Sequence, residues 1–244
     1  MNGNIQFKSR MKLLLLFKMI RKDLFKIVSA SLIVTMLALT GFASVEPGLA
    51  QAETASDTVI VTLNVDTGIS ITSPSDTTMS TSLGVSTSRA IATTTWNVKT
   101  NSVGGYTLGL RASSTPAMRL NSDVSKSVAN FTETTPDTPE AWGTVDADTA
   151  EFGFSVFSTS TSDVSTGTWG TVGTSLCGAT STPSTALNYI GASSTADKII
   201  ATRTSTTTQT GADIVVCYAV EQGSNFYIQS GTYSAWFTAT ATTQ

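Results

Sequence analysis

The sequence predicts an all-β protein, an antiparallel β-sandwich that follows an N-terminal signal helix. Apolar and polar side chains alternate at period two in many segments, as they do in half-buried strands. Thr and Ser supply 70 of the 192 residues after position 52, and the β-branch of Thr favours the pleated conformation. No segment after position 52 has a long apolar repeat at helical spacing, so we expect no packed helix there.

Residues 1–52 have the pattern of a signal peptide with a long basic n-region. Seven Lys and Arg residues precede the apolar run Ile27–Phe42, which is shorter than the ~20 residues that span a membrane comfortably. The Ala-Gln-Ala of residues 50–52 fits a cleavage site. We therefore expect an extracellular or cell-surface protein, with an uncleaved anchor helix as the alternative.

The first predicted strands lie before residue 86. Val and Leu occupy alternate positions from residue 59 to 65, which predicts a strand that turns at residues 66–68 into a second strand. A further short strand is predicted at residues 83–85.

Residues 92–113 are predicted to form a β-hairpin. Alternation on both sides of the Gly104-Gly105 pair indicates two strands, and these glycines can adopt positive φ in a tight turn. In this hairpin Trp96 and Tyr106 are expected to face each other across the strand pair.

The segment at about 113–149 has few apolar residues and three prolines, so it is predicted to be a long surface connection. Alternation returns at residues 151–159, where Phe157 is expected to face outward, and a short strand is predicted at residues 198–204.

The clearest strand pattern is at residues 213–221, where Cys217 lies on the face opposite the apolar side chains. Residues 231–244 follow as a closing edge strand, expected to pair with 213–221 and to place Trp236 on the face opposite Phe237.

One secreted domain, residues 53–244, accounts for these eight to ten short strands as an immunoglobulin-like or jelly-roll-like sandwich. Two smaller domains divided near residue 115 are the alternative.

Charge and histidine content argue against several function classes. Residues 53–244 carry 7 Lys and Arg against 15 Asp and Glu, a net charge of −8 that repels phosphate backbones, so no nucleic-acid partner is expected. The chain has 0 His, which leaves no Ser-His-Asp or Cys-His arrangement and no imidazole metal ligand. We expect a non-enzymatic protein without a cofactor or metal.

Two alternatives use the acidic residues between positions 133 and 151. Two of these carboxylates could act as the acid and base of a glycoside hydrolase. The segment Asp146-Ala147-Asp148-Thr149-Ala150-Glu151 could instead bind calcium through oxygens of alternate residues. The calcium segment lacks the glycine and the twelfth-position glutamate of an EF-hand loop, and a solvated acidic surface is the expected reading.

Cys177 and Cys217 are predicted to form a disulfide, because both lie in the part of the chain that is expected to be exported. The bond closes a loop of 41 residues, which stabilises the fold by about 4 kcal/mol in the chain-entropy model.

Three aromatic residues are candidates for binding a partner, either a cell-wall polymer or another copy of the chain: Trp96, Tyr106 and Trp236. The alternative for aromatic residues in strands is the core. Asn130-Phe131-Thr132 also matches the acceptor pattern for N-glycosylation.

The stretches GYTLGL (Gly105–Leu110) and GTYSAWFTAT (Gly231–Thr240) resemble secreted bacterial β-sandwich proteins related to WxL-type cell-wall-binding domains. In that family a Gly-aromatic-x-Leu strand lies in mid-chain and a Gly-x-Tyr strand closes the sheet. The chain is also similar to Thr-rich surface proteins of small-genome bacteria. We expect the protein to act as a structural or adhesive subunit at a bacterial surface, and a binding module for wall polymer or glycan is the alternative.

Overall fold

A computed structural model describes residues 59–158, 162–171 and 176–244. The predicted signal peptide lies outside the described residues. The chain divides into two compact units, Met1–Leu63 and Asn64–Gln244, and every strand of the described residues lies in the second. This second unit is not divided near residue 115. No helix in the described ranges is long and apolar enough to cross a membrane.

The prediction of an all-β fold is confirmed. The described residues contain fifteen strands and one helical turn, α1 (Thr166–Trp169), which Ser165 caps. In chain order the strands are β1 Ile69–Thr72, β2 Arg89–Thr100, β3 Tyr106–Ala112, β4 Arg119–Leu120, β5 Asp123–Ser127, β6 Ala129–Asn130, β7 Glu140–Ala141, β8 Ala150–Phe157, β9 Gly178–Ala179, β10 Thr182–Pro183, β11 Asn188–Tyr189, β12 Lys198–Arg203, β13 Ala212–Gln222, β14 Tyr233–Ser234 and β15 Phe237–Thr243.

Two sheets form the body of the fold. The first has five strands in the order β1-β2-β13-β8-β6, antiparallel except for the parallel β6–β8 pair. The second has three antiparallel strands in the order β12-β3-β15. Smaller sheets join β14-β4-β5, β11-β7 and β10-β9.

One hydrophobic core contains side chains from both sheets. It is built from alternate residues of β2, β8 and β13 in the first sheet and of β3 and β15 in the second, together with Ile200 and Ala201 of β12, where a register shift occurs. Phe237 of β15 lies among aromatic rings of the first sheet, with its centroid 5.0 Å from Tyr218 and 6.0 Å from Phe154. The two sheets therefore bury apolar faces in a common cluster.

The opposite face of the first sheet is also covered. Phe157 and Cys217 point to this face, and they pack in a second cluster with Phe131, Leu187 and other residues of the connecting segments. The predicted bond between Cys177 and Cys217 is confirmed, and both cysteines are buried. Phe157 is on the predicted side of its strand, but it is buried rather than outward-facing because the disulfide-linked segment lies over it.

The predicted hairpin at residues 92–113 is wrong. Its strands exist as β2 and β3, but β2 pairs with β13 and β1, whereas β3 pairs with β12 and β15. Each strand has neighbours on both sides, so β2 and β3 cannot pair with each other. Residues 101–105 therefore connect the first sheet to the second. Gly105 has the expected positive φ, 80°.

Three other predictions also need correction. Residues 59–65 form no strand, and only an isolated bridge between Gly84 and Thr87 replaces the strand predicted near residue 84. The closing strand β15 pairs with β3, because β13 has partners on both sides.

The connection at 113–149 is not simply a surface loop. It contains β4 to β7, and its apolar side chains enter both hydrophobic clusters. The buried residues of this segment are Ala117, Met118, Leu120, Val128, Phe131, Pro139 and Val145.

Candidate interaction edge

Strand β15 is an edge of the second sheet with one unpaired side. The Ser113 amide donates to the Trp236 carbonyl at 2.9 Å, and the Gln244 amide donates to the Gly105 carbonyl at 3.1 Å. Because antiparallel strands alternate, the even-numbered residues between these two pairs also point their backbone groups at β3. The amides and carbonyls of the odd-numbered residues, 237 to 243, therefore point away from the sheet.

No other described strand takes up these backbone groups. Strand β1 comes within 8 Å of β15 between Cα atoms, but the two strands are not paired. The odd-numbered backbone groups of β15 thus form a row of donors and acceptors that the described chain leaves open.

The sequence of this edge lacks the residues and bulges that usually protect an edge strand against pairing. Natural edge strands carry Lys, Pro, bulges or inward-facing charges that discourage addition of another strand. The sequence of β15, FTATATT, has no charge and no proline, and its pairing with β3 has no register shift. Its core-facing residues Phe237, Ala239 and Ala241 are only partly buried, so the hydrophobic core is incompletely closed along this edge.

Trp236 lies directly before β15 and faces away from Phe237, as predicted. Its side chain is 63% exposed. Two further aromatic residues, Phe226 and Tyr227, follow β13 and are exposed, although the sequence did not identify them as candidates. The polar turn Gln222-Gly223-Ser224-Asn225 before them was the available signal, because connecting segments run over the surface.

The candidates Trp96 and Tyr106 are buried in the common core, which corrects their assignment as partner-binding residues. The Tyr106 hydroxyl donates to Asp163 Oδ2 at 2.8 Å, and Arg203 forms an ion pair with the same carboxylate at 3.1 Å. Burial and this carboxylate raise the pKa of Tyr106 far above its ordinary value. Tyr106 is therefore a structural anchor of the core.

The acidic residues form hydrogen bonds that hold loops and strand ends. Glu221 is buried, pairs with Arg89 at 2.8 Å and accepts from Trp142 Nε1 at 2.7 Å. Glu151 lies opposite Glu221 in the β8–β13 register, and burial, followed by the neighbouring carboxylates, raises its pKa. The sequence did not indicate this role of Trp142, because it predicts a surface connection at residues 113–149.

The proposed calcium segment has a local structure of its own. Asp146 Oδ1 accepts from the Asp148 amide at 3.0 Å, which closes a turn within the segment. In the described part of the chain, no three or more His, Cys, Asp or Glu residues come close enough together to hold a metal ion.

The side-chain amide of Asn130, the residue of the predicted glycosylation acceptor, makes two hydrogen bonds. Its Nδ2 donates to the Ala192 carbonyl at 2.6 Å, and its Oδ1 accepts from the Ala117 amide at 3.2 Å. A glycan attached to Nδ2 would replace one of the two hydrogens on the nitrogen that makes this contact.

Comparison with protein-family models, curated proteins and solved structures gave no match.

Proposed function

We propose that this chain is an exported, non-enzymatic bacterial β-sandwich that acts at the cell surface as a structural or adhesive subunit. The five-stranded and three-stranded sheets supply the two layers of the sandwich. Their common core and the packing of Phe237 against Tyr218 support this arrangement. The signal peptide at residues 1–52 directs export.

The Cys177–Cys217 bond supports an oxidising compartment, because structural disulfides persist outside the cytosol. The bond attaches the segment after α1 to the central strand β13, so it stabilises the cover on one face of the first sheet. A protein held at a cell surface gains from such a cross-link, which restricts the unfolded chain.

The open edge of β15 is the observation that carries the proposal. A seven-residue strand with unpaired backbone groups, no charge and no proline is a template for another strand. Main-chain hydrogen bonds supply affinity in this mode of association, and it needs no catalytic or ligand-binding residues. We therefore assign the edge to subunit association.

Two measurements test this function. Cells that export the full chain through its own leader are fractionated, and we expect the protein in the envelope fraction, from which detergent or high salt releases it. Light scattering of the purified protein is then expected to show a mass that rises with concentration. A strict monomer at the highest attainable concentration refutes the subunit function.

A binding module for wall polymer or glycan is the second candidate, because Trp236 presents a large exposed ring. Trp236→Ala is then expected to reduce sedimentation with purified cell wall, while Tyr227→Ala serves as a matched loss of an exposed ring. Equal sedimentation of wild type and Trp236→Ala removes the support for this candidate. Circular dichroism checks that both variants retain the fold.

A further inference from the structure

Residues 59–65 present an apolar strand pattern to solvent. Val59, Val61, Leu63 and Val65 alternate with Ile60, Thr62 and Asn64, and this VIVTLNV segment carries no charge. It belongs to no helix or strand. The four alternating aliphatic side chains are between 71% and 89% exposed.

Such exposure is unfavourable for a segment of this composition. Each aliphatic side chain stabilises a fold when it is buried rather than exposed, because burial removes apolar surface from water. Isolated exposed residues such as Val85 and Val124 are ordinary on protein surfaces, but a run of seven residues with strand alternation and no strand partner is not. The segment therefore has the composition of a strand, and none of the described strands of the chain pairs with it.

We propose that residues 59–65 of one copy add as a strand to the open edge of β15 in a second copy. This inference rests on the proposed subunit function and names the partner of its edge. The donor is the segment 59–65, and the acceptor is Phe237–Thr243. We call them the donor segment and the acceptor edge.

The two segments match in length and in face. Each has seven residues, so the donor segment can pair along the whole acceptor edge. Its Val and Leu side chains would continue the core-facing row of Phe237, Ala239 and Ala241, which is only partly buried. Its opposite face would continue the exposed Thr row of β15.

The charge pattern also favours a second copy as the partner. Neither segment contains an acidic or basic residue, so two chains of like net charge can meet there without direct repulsion. Burial of the donor side chains would close the core of the acceptor copy. Each copy carries both segments, so repeated addition produces a head-to-tail chain of subunits.

Paired aspartate variants of the donor segment test the proposal. Leu63→Asp places a carboxylate on the face that packs on the core, whereas Thr62→Asp places the same charge on the outer face. We expect Leu63→Asp to raise the concentration for half-assembly by about 100-fold or more, because an unpaired buried charge is costly. Thr62→Asp is expected to assemble within about threefold of wild type.

The outcomes separate this inference from the function on which it rests. Light scattering measures the mass of each full-length variant exported through the native leader. If Leu63→Asp assembles as wild type does, the assignment of residues 59–65 as the donor is wrong, although the subunit function stands. If wild-type protein stays monomeric, the subunit function fails and the donor segment fails with it.

Cross-linking then distinguishes a second copy from the same chain. Thr62 and Thr240 are the central residues of the two segments and lie on their outer faces, so they meet in either strand direction when the segments align. We mix a tagged Thr62→Cys chain with an untagged Thr240→Cys chain and oxidise the mixture. We expect a disulfide-linked dimer that contains one chain of each kind. A chain carrying both cysteines that cross-links only within itself, at every concentration, overturns the inference.

Discussion

The buried hydroxyl of Tyr106 provides a sharp test of the core. Tyr106→Phe removes only the oxygen that donates to Asp163 at 2.8 Å and leaves the ring in place. A hydrogen bond to a charged group contributes about 1.5–3 kcal/mol. We therefore expect a loss of about 2 kcal/mol, which lowers the Tm of a domain of this size by about 4–8 °C.

Thermal unfolding followed by circular dichroism measures this change. Tyr227→Phe is the matched control, because it removes the same atom from an exposed ring. The control is expected to change stability by less than about 0.5 kcal/mol. If Tyr106→Phe unfolds within 1 °C (about 0.5 kcal/mol) of wild type, the hydroxyl does not anchor the core and the reasoning is refuted.

Three other predictions concern the first sheet and its cover. Reduction of the Cys177–Cys217 bond should lower the free energy of unfolding by about 4 kcal/mol, and intact mass with and without reductant checks that the bond exists. Glu151→Gln should raise the Tm at pH 7, because the folded protein raises the pKa of Glu151 and so disfavours its charged form. This gain should shrink as the pH falls through the raised pKa, and it should disappear below the ordinary value of 4.5, where the stabilising protonated form is fully present. Gly153→Ala should lower the Tm, because the new Cβ would lie 2.8 Å from Phe131 Cβ; an unchanged Tm would mean that this layer is less closely packed than the distance indicates.

The strands that sequence could predict are those whose alternation coincides with their burial. The interior of β13 follows its apolar pattern, and the core face of β15 includes Phe237 and Ala239 as expected. Period-two alternation identifies a strand and its inner face, but it contains no information about which strand lies beside it.

The failures have the same origin. Residues 92–113 were predicted to be a hairpin because a Gly-Gly pair between two strands fits a tight turn, but it fits a crossing between sheets equally well. The pattern at 59–65 is that of a strand, yet a strand forms only where another backbone pairs with it. The burial of Phe157 depended on a polar, disulfide-linked segment distant in sequence, which no local pattern indicates.

Of the three aromatic candidates, two are buried and one is exposed, and the difference also depends on which strands are neighbours. Trp96 and Tyr106 lie on strands whose inner faces meet in the core, whereas Trp236 lies on the outer face of an edge. Sequence alone could place Trp236 opposite Phe237. It could not show that β15 has an open side, because that depends on the order of the strands in the sheet.

The most direct test of association through β15 is a proline at Ala241, whose amide points to the open side. Ala241→Pro removes that donor without removing a hydrogen bond to β3, and edge strands tolerate proline at such positions. We expect light scattering to show a folded monomer where wild type assembles. Thr240→Pro, whose amide faces β3, should instead lower the Tm because it removes a ladder hydrogen bond. A folded Ala241→Pro variant that assembles as wild type does would contradict association through this edge.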